Sequence, residues 1–131
     1  MCLYTLKTAE FKGKHVGYKI IRKQGKMLRP ELAPSDKAVK HVLGEWTNDI
    51  NDYGLYSDGA GLRYPTGFHV ITTLAQARRW YAESVRLNKL YGYSKCITIY
   101  KVAFGKVLAY GTQDGLTVVV SDRVKLLEEV K

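Results

Sequence analysis

Polar and apolar residues alternate near both ends of this chain, and the spacing changes to a helical one in the middle. Cys2 to Leu6 and His15 to Lys23 are rich in Val, Ile, Tyr and Thr and predict strands. Gln24-Gly25 then offers a tight turn into Lys26 to Arg29, so an N-terminal hairpin is expected. Ser35 after Pro34, followed by Ala38, Val39, Val42 and Leu43 at helical spacing, predicts a short helix stopped at Gly44. Phe68 to Thr72 reads as a strand that feeds directly into the clearest helix of the chain, residues 73–91. That helix opens on Thr73-Leu74-Ala75-Gln76, a capping box in which the Thr hydroxyl and the Gln amide satisfy orphan backbone donors, and Gly92 is its expected left-handed cap. Leu74, Ala77, Trp80, Tyr81, Ser84, Val85, Leu87 and Tyr91 gather on one side of it and predict the buried face. Arg78, Arg79, Arg86 and Lys89 fall on another, solvated and cationic side.

The last third reads as a meander. Ile97 to Phe104 and Val107 to Tyr110 flank Gly105-Lys106, with Gly first as a type II′ hairpin turn requires. Leu116 to Ser121 follows Asp114-Gly115, a pair suited to type I′. Asp122 to Val130 fits either a final strand or a short helix. The expected architecture is α+β, an antiparallel sheet of about five or six strands with the 73–91 helix packed on one face.

Length and composition agree with a single domain over residues 1–131. The chain is 46% hydrophobic and 25% charged, an ordinary globular balance. Cys2 and Cys96 stand alone and are expected to be reduced thiols. Lys7, Glu10, Lys12 and Lys14 interrupt any apolar leader, and no run approaches the roughly 20 apolar residues of a membrane span, so a cytoplasmic protein with no membrane partner is expected.

Charge changes the picture more than composition does. The net charge is +9, and its excess is concentrated. Residues 1–30 carry eight basic side chains against Glu10 alone, and residues 62–106 carry eight against Glu83 alone. Residues 45–61 hold Glu45, Asp49, Asp52 and Asp58 and no basic residue. A field polarised in this way attracts anions, whether nucleotides, nucleic acid or an acidic protein face.

Most motifs that carry chemistry fail on inspection. Asn48 to Gly54 has the look of a calcium loop, but Tyr53 occupies a ligand position and Ala60 stands where the bidentate Glu belongs. Gly59-Ala60-Gly61 lacks the Lys-Ser/Thr of a phosphate-binding loop. His15, His41 and His69 have no ligand spacing, so neither a metal nor a cofactor is expected. His69 alternates with Phe68 and Val70 and points away from them, toward solvent or a small cleft. The irregular stretch from Glu45 to Gly67 is a long loop whose Tyr53, Tyr56 and Tyr64 are candidates for ligand contact. Arg78, Arg79 and Arg86 on the helix, with Lys19, Arg22 and Lys23 on the N-terminal hairpin, are the candidate anion-binding cations.

Met1-Cys2-Leu3-Tyr4-Thr5, the Gly17-Tyr18-Lys19 strand, and Tyr64-Pro65-Thr66-Gly67-Phe68-His69 followed by Thr73-Leu74-Ala75-Gln76-Ala77 resemble a group of small phage and prophage proteins. The resemblance spans most of the chain and implies a phage origin. A more remote resemblance, carried by Gly67 to Ala77, is to ADP-ribosyltransferase-like folds. It implies an Arg or His on an early strand, a role Arg22 could fill, and a Glu on a late one. Leu116 to Ser121 contains no Glu, and Glu128 and Glu129 lie beyond it.

Two functions are therefore expected in order. The first is a phage accessory protein, acting on host pathways or defences, that binds an anionic partner without catalysis. The alternative is a small ADP-ribosyltransferase-like or other nucleotide-processing enzyme, with its site between His69, the Tyr-rich loop and Arg22.

Overall fold

The computed structural model describes residues 3, 5–7, 10–24, 26–30, 40–48, 55–57, 63–65, 67–90 and 96–130. Within them run eleven strands and one helix: β1 (Thr5–Leu6), β2 (Val16–Gln24), β3 (Met27–Pro30), β4 (Trp46–Asn48), β5 (Leu55–Ser57), β6 (Arg63–Pro65), β7 (Phe68–Ile71), α1 (Leu74–Leu90), β8 (Cys96–Phe104), β9 (Val107–Gln113), β10 (Leu116–Ser121) and β11 (Arg123–Val130). Nine strands form one antiparallel sheet in the order β1-β9-β10-β7-β2-β8-β11-β4, with β3 also paired to β2, while β5 and β6 form a separate hairpin.

The class is the expected α+β, but five or six strands was an undercount. Cys2 to Leu6, expected as a strand, supplies β1 at Thr5–Leu6. The strands not expected are β4, β5 and β6, which have three residues each, too few to show a periodicity, and lie in the stretch from Glu45 to Gly67 that reads as loop.

β2 and β3 make the expected N-terminal hairpin, with Gln24 opposite Met27. The hairpin across Asp114-Gly115 also forms, with Gln113 opposite Leu116. Asp114 at φ 48° and Gly115 at φ 77° supply the two positive φ angles of a type I′ turn. The hairpin expected at Gly105-Lys106 does not form. β8 pairs with β2 and β11, and β9 pairs with β10 and β1. Gly105 is not among the residues of positive φ, so it cannot open a type II′ turn. Instead, two paired segments, 96–113 and 116–130, turn the same corner together. Gly105 N donates to Arg123 O at 3.0 Å and Asp122 N to Lys106 O at 3.2 Å, which keeps the ladder continuous through the bend. The ambiguous last segment is a strand, β11.

Each face of the sheet carries a buried core cluster. Phe68, Val70, Tyr100, Val102, Val119, Val124 and Leu126 belong to one core cluster, and Ile71, Ile99, Leu116, Val118 and Val120 belong to another on the opposite face. The run Val118-Val119-Val120 is buried throughout because its neighbours alternate between the two clusters. The helix covers the second cluster through Ala77, Leu74, Trp80 and Tyr81. Of its predicted buried face, Ala77 and Ser84 are buried, whereas Leu74, Trp80, Tyr81, Val85 and Leu87 are half-buried, and Tyr91 lies outside the described residues. One helix on a wide sheet leaves the flanks of that face in water.

The capping box is half made. Gln76 N donates to Thr73 Oγ1 at 3.3 Å, as expected. The Gln76 amide turns the other way, and its Oε1 accepts from Thr117 N at 2.8 Å. That bond ties the helix start to β10. The short helix expected before Gly44 is not seen at its described end. His41 pairs with Leu28 in an isolated bridge, Gly44 takes φ 80°, and residues 31–39 lie outside the described residues.

β2 is the seam of the sheet. It touches β7 in register at one position, Tyr18 opposite Ile71, and from Ile21 onward that edge is taken by β3. The close approach at the seam depends on Gly17, where an added Cβ would lie 2.5 Å from Val70 Cγ1 and 2.7 Å from Ile71 O. Gly17→Ala should cost about 1–3 kcal/mol, the usual penalty for overpacking a filled core. An unchanged urea midpoint for that variant would contradict this account of the seam.

Candidate functional site

Most cations singled out in the sequence are engaged within the protein. Lys19 Nζ donates to His69 O at 2.7 Å. Arg22 is 8% exposed and shares a sheet face with Ile20 and Ile97. Lys23 forms an ion pair with Glu129 at 2.9 Å, which holds its ammonium pKa above the ordinary lysine value. On the helix, Arg79 Nη2 donates to Asp114 O at 3.1 Å, bracing the I′ turn. Arg86 grips Glu83 with two bonds, at 3.1 and 2.5 Å, and holds that carboxyl below its usual range. Arg78 is exposed. Lys19, Lys23, Arg79 and Arg86 thus direct donors to carbonyls and carboxylates of the chain itself.

The aromatic candidates divide similarly. Tyr53 lies outside the described residues. Tyr56 and Tyr64 are opposite one another in the β5–β6 hairpin. His69 sits opposite Val120 on β7, on the helix side of the sheet. Burial, the Lys19 ammonium and, more weakly, further positive charge push its pKa down to about 3. Among the described residues no cluster of three or more His, Cys, Asp or Glu could hold a metal ion.

A different group comes together where the sheet turns its corner. Val124 and Leu126 are fully buried, so Arg123 and Lys125 project from the other face of β11. Opposite them on the edge strand β4 is Trp46, paired in register with Lys125. The Arg123 guanidinium lies 4.3 Å and the Lys125 ammonium 4.9 Å from the indole ring centre, contacts a ring quadrupole favours. Trp46 nonetheless remains 39% exposed.

The corner itself adds Lys106, and the segment beside it adds Lys14, both exposed. That segment is held in place by Phe104 N donating to His15 O at 3.0 Å and by the His15 ring stacked on Phe104 at 4.9 Å. Asp122, the acid at the corner, is occupied locally: its Oδ1 accepts from Lys106 N at 2.9 Å. Among the described residues, the side chains of Lys14, Lys106, Arg123 and Lys125 make no hydrogen bond or ion pair. Arg123 and the half-buried Lys125 thus flank an exposed indole, with Lys14 and Lys106 exposed at the nearby corner.

Trp46, Arg123 and Lys125 were missed as site residues. Trp46 stands at the head of an acidic stretch read as loop, and residues 122–130 were open between strand and helix. One signal was present: in Arg123-Val124-Lys125-Leu126 polar and apolar residues alternate, so a strand reading would have placed both cations on one face.

No protein-family model, curated protein or solved structure matches this chain. Among the described residues no helix is long and apolar enough to cross a membrane.

Proposed function

We propose that this protein is a non-catalytic binding module for single-stranded nucleic acid, and that the nucleic acid docks around Trp46 at the edge of the sheet. The observation that carries the proposal is the exposed indole flanked by Arg123 and Lys125. A base can stack on the ring while the neighbouring cations meet the phosphates on either side, and every base has a face suited to this. Lys14 and Lys106 extend the cationic track along the corner. The net charge of +9 adds long-range attraction that speeds encounter at low salt. The phage resemblance fits an accessory role in which a small basic protein engages nucleic acid in a host cell.

A salt series tests the electrostatic part. Binding of a fluorescent 12-nucleotide single strand should weaken linearly in log affinity against log salt. Arg123→Ala and Lys125→Ala should each lower the slope by about 0.7, the value for one lost contact to a single strand. Arg86→Ala should leave the slope in place, because Glu83 already occupies that guanidinium. If the slope is unchanged in both β11 variants and falls in Arg86→Ala, the docking face is the helix.

A further inference from the structure

We infer that the gap where β2 parts from β7 is a second, separate site, which takes a compact oxyanion, a carboxylate or phosphate group, between Lys19 and His41. At this gap the ladder is incomplete. β2 pairs with β7 at Tyr18 and with β3 from Ile21, so the backbone between these positions has left one partner before meeting the next. Lys19 lies in that interval. Its ammonium reaches His69 O at 2.7 Å and stands 5.7 Å from the centre of the Phe68 ring. The His41 ring packs on the same Phe68, 5.6 Å between centres.

The fold leaves the His41 ring unexplained. It is only 4% exposed, yet neither Nδ1 nor Nε2 has a hydrogen-bond partner. Buried polar atoms are almost always paired, and each one left unpaired carries a desolvation penalty. Two on one ring mark a place for a polar partner. The surroundings indicate its sign. Lys19 is the charged group that acts on His41, and with burial it holds the imidazole pKa down to about 4. A cation at this position would meet the ammonium as a like charge. An anion would be attracted by it and would accept a hydrogen bond from the imidazole N–H. Phe68 supplies an apolar wall that strengthens both interactions by excluding water.

The measurement is thermal unfolding of the full chain in cationic buffer at pH 7 with 20 mM orthophosphate or acetate, against sodium chloride at equal ionic strength. The unfolding midpoint should rise by about 3 °C or more in at least one of the two oxyanions, as expected for a ligand bound by the folded state alone. His41→Leu fills the space with an apolar group and should fold at least as stably, while losing the rise. Lys19→Met should lose it as well. Should Lys19→Met fail to fold, the His41 ring proton shifts of the wild-type protein decide the matter: they must move saturably with the oxyanion. No rise over chloride in the wild-type protein, or an equal rise in His41→Leu, would overturn the inference. Trp46→Ala should keep the full rise, which separates this site from the nucleic-acid face.

Discussion

Lowering the pH from 7 to 5 in cationic buffer should remove about 3 kcal/mol of folding stability, a large share of the roughly 5–15 kcal/mol that holds a domain together. The cause is the pair of histidines kept neutral by the fold. His41 is held down to a pKa of about 4 and His69 to about 3, each by burial first and by the Lys19 ammonium second. In the unfolded chain both titrate near 6.5. A folded-state pKa below the unfolded one means that the unfolded chain binds more protons. Stability is therefore complete above about pH 6.5 and falls as the pH drops through 6.5 toward the folded values. Each pH unit in that window costs about 1.4 kcal/mol per histidine. His41 contributes nearly its full share, and His69, which keeps part of its surface in water, contributes less. Urea midpoints at pH 7 and pH 5 check the sum, and His41→Leu should flatten the dependence by more than half. Equal midpoints at the two pH values in the wild-type protein would contradict the buried, neutral state of these rings.

A second expected result concerns the proposed nucleic-acid face. Trp46→Ala should weaken binding of a single-stranded oligonucleotide by about 1–3 kcal/mol, the usual loss when one stacked base gives up its aromatic platform. In dissociation constant this is roughly 5- to 150-fold. The fold should tolerate the change, because Trp46 is on a three-residue edge strand and belongs to neither core cluster. Trp46→Phe should restore part of the affinity, since a ring remains. Titrations by fluorescence anisotropy at fixed low salt measure both. Loss in Trp46→Ala with no recovery in Trp46→Phe would point to the indole N–H in place of stacking.

The sequence was legible where periodicity is long or turn chemistry is strict. The helix ran over seventeen residues with its cap at Thr73, and Asp114-Gly115 adopted the turn its residue types demand. It was misleading at Gly105-Lys106, where a favourable dipeptide sits at a corner. A turn motif constrains only the local backbone, whereas the choice of partners for β8 and β9 is made by long-range pairing through β2, β11, β10 and β1. The same limit explains the site. Counting charge along the chain finds Lys19, Lys23, Arg79 and Arg86, but their partners His69, Glu129, Asp114 and Glu83 come from pairings of which only Arg86 with Glu83 is local in sequence. Conversely, Trp46 and Arg123 are distant in the chain and meet only because β4 closes the edge of β11. His41 was placed on a helix by its apolar neighbours Val42 and Leu43, both of which are exposed in the folded chain.

If Trp46 is the platform on which the partner stacks, its own fluorescence should report binding. The chain has two tryptophans, Trp46 and Trp80, so Trp80→Phe leaves Trp46 as the single reporter. Titrating that variant with single-stranded oligonucleotide at low salt should quench the emission saturably, with the same midpoint that anisotropy of the labelled strand gives, and raised salt should reverse it. Binding seen by anisotropy with no change in Trp46 emission, or no binding at low salt at all, would contradict the account.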